Sequence, residues 1–119
     1  MKDHVMNLNS SPMKKIRSGI KTIELRLYDE KRKAVSVGDT ITFINTENAD
    51  DTLTVKVEGL FVFKSFDELY RKLPLLECGY TEENVGKASP SDMELYYSKE
   101  QQAQYGVVGI KIALQNDRG

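Results

Sequence analysis

The sequence has very few of the residues from which metal and disulfide sites are built. It contains one cysteine, Cys78, and one histidine, His4, among 119 residues. A single cysteine excludes an intrachain disulfide, and no spaced carboxylate–histidine motif is present. We therefore expect no metal centre. We interpret Cys78, which follows Leu75 and Leu76, as a buried apolar residue rather than the nucleophile of a pair with His4.

Long apolar segments and cofactor loops are also missing. No apolar run approaches the roughly 20 residues that span a bilayer, and residues 1–4 offer no secretion signal. No phosphate-binding loop or dinucleotide fingerprint is present, so we expect no cofactor. These absences predict a cytoplasmic protein with no membrane partner. Without a repeat, a low-complexity tract or a linker, the 119 residues are expected to form one domain, 1–119.

The charge balance argues against partners that bind through bulk electrostatics. The chain has 17 basic and 18 acidic residues and a net charge of -1, which makes long duplex DNA an unexpected partner. Basic residues nevertheless crowd the first third, where we expect any anion-binding surface: Lys14, Lys15, Arg17, Lys21, Arg26, Lys31, Arg32 and Lys33.

The most informative stretch runs from Ser18 to Leu27. From residue 22 to residue 28 polar and apolar side chains alternate, with Thr22, Glu24, Arg26 and Tyr28 on one face and Ile23, Leu25 and Leu27 on the other. This period of two predicts a strand over residues 21–27 with one face in a core. The polar face is either a solvated outer face with a local ion pair, the commoner outcome, or a functional site.

If it is a site, its chemistry is that of Lys21, Glu24 and Arg26. Lys21 can bind a phosphate or carboxylate as a point charge, while Arg26 offers a planar fork. Alternatively, Lys21 acts as a base or nucleophile and Glu24 carries a proton or orients the two cations. Six tyrosines provide surfaces on which bases can stack, although we expect most of them to be structural.

Local signals elsewhere predict four further strands. They cover residues 4–8, 40–45, 52–63 and 107–114. Gly59 interrupts the third of these and indicates a bulge or bend. The acidic segment 46–51 is predicted to be a hairpin loop, 29–33 a charged turn and 116–119 a polar tail.

Several short helices are predicted between these strands. One begins after Ser11 as N-cap, with Pro12 in the first turn, and ends at Gly19. Others begin at the capping signals of residues 65–68, 89–90 and 98–101, and the last of them stops at Gly106. The element order favours an α+β domain built on a small, mostly antiparallel sheet or barrel.

These segments together resemble a known family. The pattern Gly19-x-Lys21-x-x-Glu24-x-Arg26 is followed by Gly38-Asp39, by the segment 65–69 and by 105–110, and nearly the whole chain is covered. It resembles small bacterial stand-alone proteins of the ASCH domain family, a branch of the PUA-like superfamily. The resemblance implies a PUA-like β-barrel with short helices around it and a groove that contains Gly19, Lys21, Glu24 and Arg26.

The resemblance also implies a function. ASCH proteins are regarded as RNA-binding or nucleic-acid-linked modules, so the expected partner is RNA or a nucleotide- or nucleoside-like small molecule. The alternative is an amidohydrolase that removes the acetyl group from acetylcytidine, as in one branch, with Lys21 and Glu24 as the catalytic residues. Lys21 fits the lysine of that branch, but Glu24 stands where the branch has a threonine. A protein-interaction domain with a merely solvated strand is the third possibility.

Overall fold

A mixed sheet of five strands forms the framework of the protein in the computed structural model, which describes residues 1–115. The strands are β1 (Asp3–Leu8), β2 (Ile23–Leu27), β3 (Thr40–Asn45), β4 (Asn48–Phe63) and β5 (Val107–Leu114). Their order in the sheet is β1-β3-β4-β5-β2. β1 pairs with β3 in parallel, and the other three pairings are antiparallel. The predicted polar tail, 116–119, lies outside the described residues.

Short helices connect the strands. They are α1 (Ser10–Arg17), α2 (Glu30–Lys33), α3 (Phe66–Lys72) and α4 (Lys99–Tyr105). Between α3 and α4 the chain forms three 3₁₀ segments, Leu75–Glu77, Val85–Lys87 and Pro90–Leu95. None of the helices in the described part of the chain has the length and apolar character needed to cross a membrane.

The sheet is a half-barrel that stays open between β1 and β2, its two edge strands. α1 connects these two edges in the sequence. The Arg26 side chain crosses the opening, where its Nη2 donates to the carbonyl oxygen of Asn7 at 2.7 Å. The predicted α+β class and the mostly antiparallel pairing are confirmed, with the barrel left open on one side.

β2 is buried on both faces. Ile23, Leu25 and Leu27 pack in one apolar cluster with Phe66 and Leu69 of α3. Glu24 and Arg26 lie opposite the β5 residues Ile110 and Val108, which belong to a second apolar cluster inside the half-barrel. Because directly paired residues share a face of a sheet, the polar side of β2 points toward the interior and not into solvent.

β2 begins at Ile23 and not at residue 21, and three further predicted boundaries were wrong. Asn9, not Ser11, is the N-cap of α1: its backbone is extended, and its carbonyl accepts from the Met13 N–H. Its side-chain oxygen instead accepts a hydrogen bond from Thr46 at 2.7 Å. The predicted turn at 29–33 is the helix α2, because the Asp29 carboxylate caps the Arg32 N–H.

The third correction concerns the hairpin between β3 and β4. The predicted six-residue loop 46–51 is a two-residue turn, and β4 begins at Asn48. The Asn45 side chain accepts from the Glu47 N–H at 2.8 Å and holds the chain in the turn. Of the acidic residues that predicted a loop, Glu47 lies in the turn, and Asp50 and Asp51 lie at the start of β4.

Other local predictions are confirmed. The pairing of β4 with β5 shifts register between Val57 and Gly59, as the glycine predicted. Ser65 and Ser98 cap α3 and α4 through their side chains. α4 ends at Gly106, whose φ of +74° few other residues adopt.

Candidate ligand-binding site

A cavity of about 540 Å³ lies at the open side of the half-barrel. β1 and the start of α1 form one wall, and Glu24, Leu25 and Arg26 of β2 form the second. The segment between α3 and α4 supplies the rest, including four aromatic or acidic side chains: Tyr80, Asp92, Tyr96 and Tyr97. The cavity therefore occupies the gap that a closed barrel would have filled with strand pairing.

Lys21, Glu24 and Arg26 meet in this cavity as a buried ion triad. The Lys21 ammonium lies 3.0 Å from Glu24 Oε1, and Arg26 Nε donates to Glu24 Oε2 at 2.7 Å. Glu24 is only 4% exposed, with Lys21 at 8% and Arg26 at 9%. A buried carboxylate is tolerated only when it is paired and hydrogen-bonded, and here each of its oxygens has its own cation.

The triad fixes the charge on Glu24. Burial alone would raise the pKa of this carboxyl, but the attraction of Lys21 and Arg26 outweighs it and lowers the pKa from 4.5 to about 2. Burial alone would lower the pKa of Arg26, but the attraction of Glu24, with a smaller contribution from Tyr97, raises it. Glu24 is therefore ionised at neutral pH and is a poor base.

Two lysines tether the loop on the far side of the cavity. Lys21 Nζ donates to the Cys78 carbonyl at 3.2 Å, and Lys15 Nζ donates to the Gly79 carbonyl at 2.9 Å. Gly79 has a φ of +112°, and a Cβ there would lie 3.5 Å from the Lys21 side chain. That distance is an ordinary van der Waals contact, so the positive φ is what favours glycine at this position.

Tyr70, Tyr80 and Asp92, which all line the cavity, form a chain of hydrogen bonds. The hydroxyls of Tyr70 and Tyr80 are 2.7 Å apart, and Tyr80 donates to Asp92 Oδ2 at 2.6 Å. Burial and the Asp92 carboxylate raise the pKa of Tyr80. Tyr97 stacks on Phe66 at 6.2 Å between ring centroids, whereas Tyr96 is 62% exposed at the rim.

Three of the four candidate residues from the sequence converge on the cavity. Gly19 does not line it. It follows α1 with a φ of +84° and borders a smaller cavity of about 240 Å³, one wall of which is Lys21. Gly19 thus turns the chain from α1 toward Lys21, whose N–H bonds to the Lys15 carbonyl.

The residues that were set aside from catalysis have structural contacts. Cys78 is buried, and burial raises the pKa of its thiol to about 11, which disfavours the reactive thiolate. His4 lies 2.9 Å from Asp39 and does not border the cavity. The formal Cys–His pair therefore does not form.

Sequence reasoning missed Lys15 and Asp92 as cavity residues. Nothing in the local pattern separates Lys15 from its neighbour Lys14, which is exposed. Asp92 looked like part of a helix start, and it does close a capping box with Ser89. Its position in the cavity depends on how the long segment between α3 and α4 folds back over β2, which no local signal encodes.

The open half-barrel with short helices around it is the fold of PUA-like domains. The family model described as "ASCH domain" matches residues 6–115. The chain therefore belongs to the ASCH domain family, and the resemblance found in the sequence is confirmed.

Solved structures agree with this assignment. The hypothetical protein PH0355 is 33% identical, with a TM-score of 0.78, over 97% of this chain and 100% of that one. Protein PF0455 from Pyrococcus furiosus is 30% identical, with a TM-score of 0.73, over 96% of this chain and 98% of that one. A mutant of ZmASCH from Zymomonas mobilis shares the fold, with a TM-score of 0.67 at 16% identity over 95% of this chain and 70% of that one. No curated protein matches the sequence.

Proposed function

We propose that this protein binds a nucleotide-like ligand, either free or as part of single-stranded RNA, in the cavity between β1 and β2. The observation that carries the proposal is the position of the buried triad Lys21–Glu24–Arg26 in the wall of a cavity of about 540 Å³. Small-molecule sites commonly enclose about 300–1,000 Å³ and combine apolar walls with a few fixed polar groups. The RNA-binding character of the ASCH family points to the same class of ligand.

The triad retains hydrogen-bonding capacity for a ligand. A lysine ammonium has three donors, and Lys21 uses two of them, on Glu24 and on the Cys78 carbonyl. Arg26 uses Nε and Nη2. Glu24 holds both cations in place. A carbonyl or ring nitrogen of a base can therefore accept hydrogen bonds from the remaining N–H groups of Lys21 and Arg26, and neither side chain has to move.

Lys15 is the best partner for a phosphate group. Among the basic side chains that line the cavity in residues 1–115, it is the one with no carboxylate within 4.0 Å, and its ammonium bonds only to the neutral Gly79 carbonyl. A phosphate that approached Lys21 or Arg26 would have to compete with Glu24. We therefore place the base near the triad and the phosphate near Lys15.

The aromatic rim suits an unpaired base better than a duplex. Tyr96 and Tyr97 line the cavity, and tyrosine rings stack on any base at roughly 1–3 kcal/mol per base. The net charge of -1 gives no general attraction to long duplexes. The expected ligand is thus a nucleotide whose base is free to enter.

Binding is favoured over hydrolysis by the state of Glu24. With a pKa of about 2 it is a weak base, and its two oxygens are both occupied by cations. A general base works best when its pKa lies near the working pH. If the acetylcytidine hydrolase alternative is right, purified protein releases cytidine from acetylcytidine and the Lys21→Met variant does not. We expect no release above the level of the variant.

Calorimetric titration tests the binding proposal. Cytidine and cytidine 5′-monophosphate are titrated into wild type, Lys21→Met and the control Lys56→Met, which alters an exposed lysine on β4. We expect Lys21→Met to bind both about tenfold more weakly, because a charge-assisted hydrogen bond is lost, and Lys56→Met to match wild type. Equal affinity of wild type and Lys21→Met would contradict the proposal.

The same titration tests the assignment of the phosphate. In wild type the monophosphate should bind about tenfold more tightly than the nucleoside. Lys15→Gln should remove most of this difference, because the ammonium that faces the phosphate is gone, whereas Lys14→Gln on the exposed side of α1 should keep it. An undiminished preference in Lys15→Gln would place the phosphate elsewhere.

A further inference from the structure

The edge of β2 offers a second kind of ligand contact through its main chain. Two hydrogen bonds at the ends of β2 fix which residues face β5: the Thr22 carbonyl accepts from the Ile112 N–H at 2.9 Å, and the Tyr28 N–H donates to the Gly106 carbonyl at 3.0 Å. In an antiparallel pair, residues that bond to the partner strand alternate with residues that do not. Leu25, which lies opposite Gly109, is three residues from both Thr22 and Tyr28. It therefore belongs to the set of residues that do not bond to β5.

The main-chain N–H and C=O of Leu25 therefore point away from β5. β2 is the last strand of the sheet, so they point to a free edge. Within residues 1–115 no hydrogen bond joins either group to a partner beyond that strand pairing. Leu25 is only 7% exposed, and a buried backbone group without a partner is costly and uncommon.

This free edge borders the cavity. Leu25 contributes to the cavity wall. Its side chain packs in the apolar cluster of Phe66 and Leu69, and that cluster also reaches the cavity through Cys78 and Tyr97. The side chains of Glu24 and Arg26 flank Leu25 on the cavity side. The polar contact that Leu25 can offer to a ligand is its own N–H and C=O, beside the remaining donors of Lys21 and Arg26.

We infer that Leu25 hydrogen-bonds the donor–acceptor edge of the bound base through its main chain. An N–H and a C=O that face the same way require a partner with an acceptor and a donor side by side in one plane. Each common base has such a pair on its Watson–Crick edge: a ring N–H beside a carbonyl in uracil and guanine, and a ring nitrogen beside an amino group in adenine and cytosine. Uracil and guanine are the convenient probes, because their ring N–H can be blocked by a methyl group. The Arg26 side chain reaches across the opening to Asn7, and it stands in the way of a peptide strand that would pair along the edge of β2.

The inference rests on the proposed function and adds a specificity to it. Ligands whose ring N–H is blocked should be rejected even when their size, charge and sugar are unchanged. Uridine and 3-methyluridine form one such pair, and guanosine and 1-methylguanosine form another. Both members of each pair are neutral near pH 7, so a difference reports the blocked edge rather than a change in charge.

Titration of wild-type protein with these four nucleosides provides the first test. We expect each methylated nucleoside to bind at least about tenfold more weakly than its parent, because one hydrogen bond is lost and two backbone groups stay unpaired. Equal binding within both pairs overturns this inference and leaves the proposed function intact. Failure of every nucleoside and nucleotide to bind removes the proposed function as well.

A main-chain variant provides the second test. Leu25 is replaced by its α-hydroxy acid analogue, which turns the N–H into an ester oxygen and keeps the side chain. The matched control is the same change at Leu27, which is in phase with Leu25 but does not line the cavity. The Leu25 ester should bind the better nucleoside about tenfold more weakly and the Leu27 ester should match wild type. Thermal unfolding checks that both esters are folded. An equal loss of affinity in the Leu25 and Leu27 esters would overturn the inference.

Discussion

Glu24 is the residue that makes the polar side of β2 possible in the interior. Two cations contact its oxygens, so removing the carboxylate leaves two buried positive charges without a partner. Removing one member of a buried ion pair typically costs about 3–5 kcal/mol of stability. Glu24 therefore has a structural role that any binding experiment must separate from its role toward a ligand. Lys21 belongs to the same ion triad, so Lys21→Met is compared with wild type by thermal unfolding before binding is measured, whereas Lys15 bonds to the neutral Gly79 carbonyl.

A prediction follows for the pH dependence of stability. The pKa of Glu24 is about 2 in the folded protein against an ordinary value of 4.5, so the folded state binds its proton less readily than the unfolded state. The stabilisation is fully present above about pH 5 and is lost as the pH falls toward 2. Glu24→Gln should lower the free energy of unfolding by about 3 kcal/mol near pH 7 and by much less near pH 2.

Urea unfolding of wild type and Glu24→Gln at several pH values measures this difference. The matched control is Glu82→Gln, which changes an exposed carboxylate and should leave the free energy of unfolding unchanged at each pH. Other carboxyls, such as Glu77, also have a lowered pKa, so only the difference between the two proteins is diagnostic. A gap that is below about 1 kcal/mol near pH 7, or that persists unchanged at low pH, would contradict the role given to Glu24.

At the scale of elements, the pattern of residues in β2 predicted the strand but not the surroundings of its polar face. The alternation of residues 22–28 correctly predicted a strand with Ile23, Leu25 and Leu27 in a core. It could not decide between a solvated face and a site, because that depends on what covers the other side. The cover consists of α1 and the segment between α3 and α4, whose placement is set by long-range contacts such as those of Lys15 and Lys21 with residues 78–79.

The element boundaries that were wrong share a cause. Asn9 and Ser11 are both good N-cap residues, and Asn9, which is the N-cap, bonds with its side chain to Thr46 far along the chain. The strand β2 begins at Ile23 rather than at residue 21. Before it, the N–H groups of Lys21 and Thr22 are already bonded to Lys15 and Glu77. Capping and strand signals within a few residues cannot anticipate partners that lie far along the chain.

Gly106 connects the end of α4 to the start of β5, and its conformation can be tested by substitution. It has a φ of +74° and a ψ of -174°, a region that is essentially restricted to glycine, and a Cβ there would lie 3.0 Å from the Phe63 carbonyl. Gly106→Ala should lower the free energy of unfolding by about 1–3 kcal/mol. Thermal or urea unfolding measures the change.

Gly86→Ala is the matched control for this substitution. A Cβ at Gly86 meets no atom within 4 Å, and Gly86 is not among the glycines with positive φ. Its free energy of unfolding should stay close to that of wild type. Equal effects of the two substitutions would mean that the conformation of Gly106 does not constrain the start of β5.

At the scale of the whole molecule, the cavity exists because the sheet does not close. β1 and β2 are edge strands, and an unpaired edge is normally a liability that proteins cover. Here a cavity occupies the gap, and the cationic donors of Lys15, Lys21 and Arg26 border it. The family motif in the sequence marked β2 as important, but it gave no sign of the opening or of the free main-chain groups at Leu25.

A single measurement tests the central claim most directly. Uniformly ¹⁵N-labelled protein is titrated with the four common ribonucleoside 5′-monophosphates, and amide shifts are followed by two-dimensional NMR. We expect at least one nucleotide to shift amides around the cavity, among them those of Lys21, Leu25 and Tyr80, and to leave those of the exposed β4 residues Phe61 and Val62 in place. No shift with any nucleotide, or shifts confined to β4, would contradict the proposal that the cavity between β1 and β2 is a nucleotide-binding site.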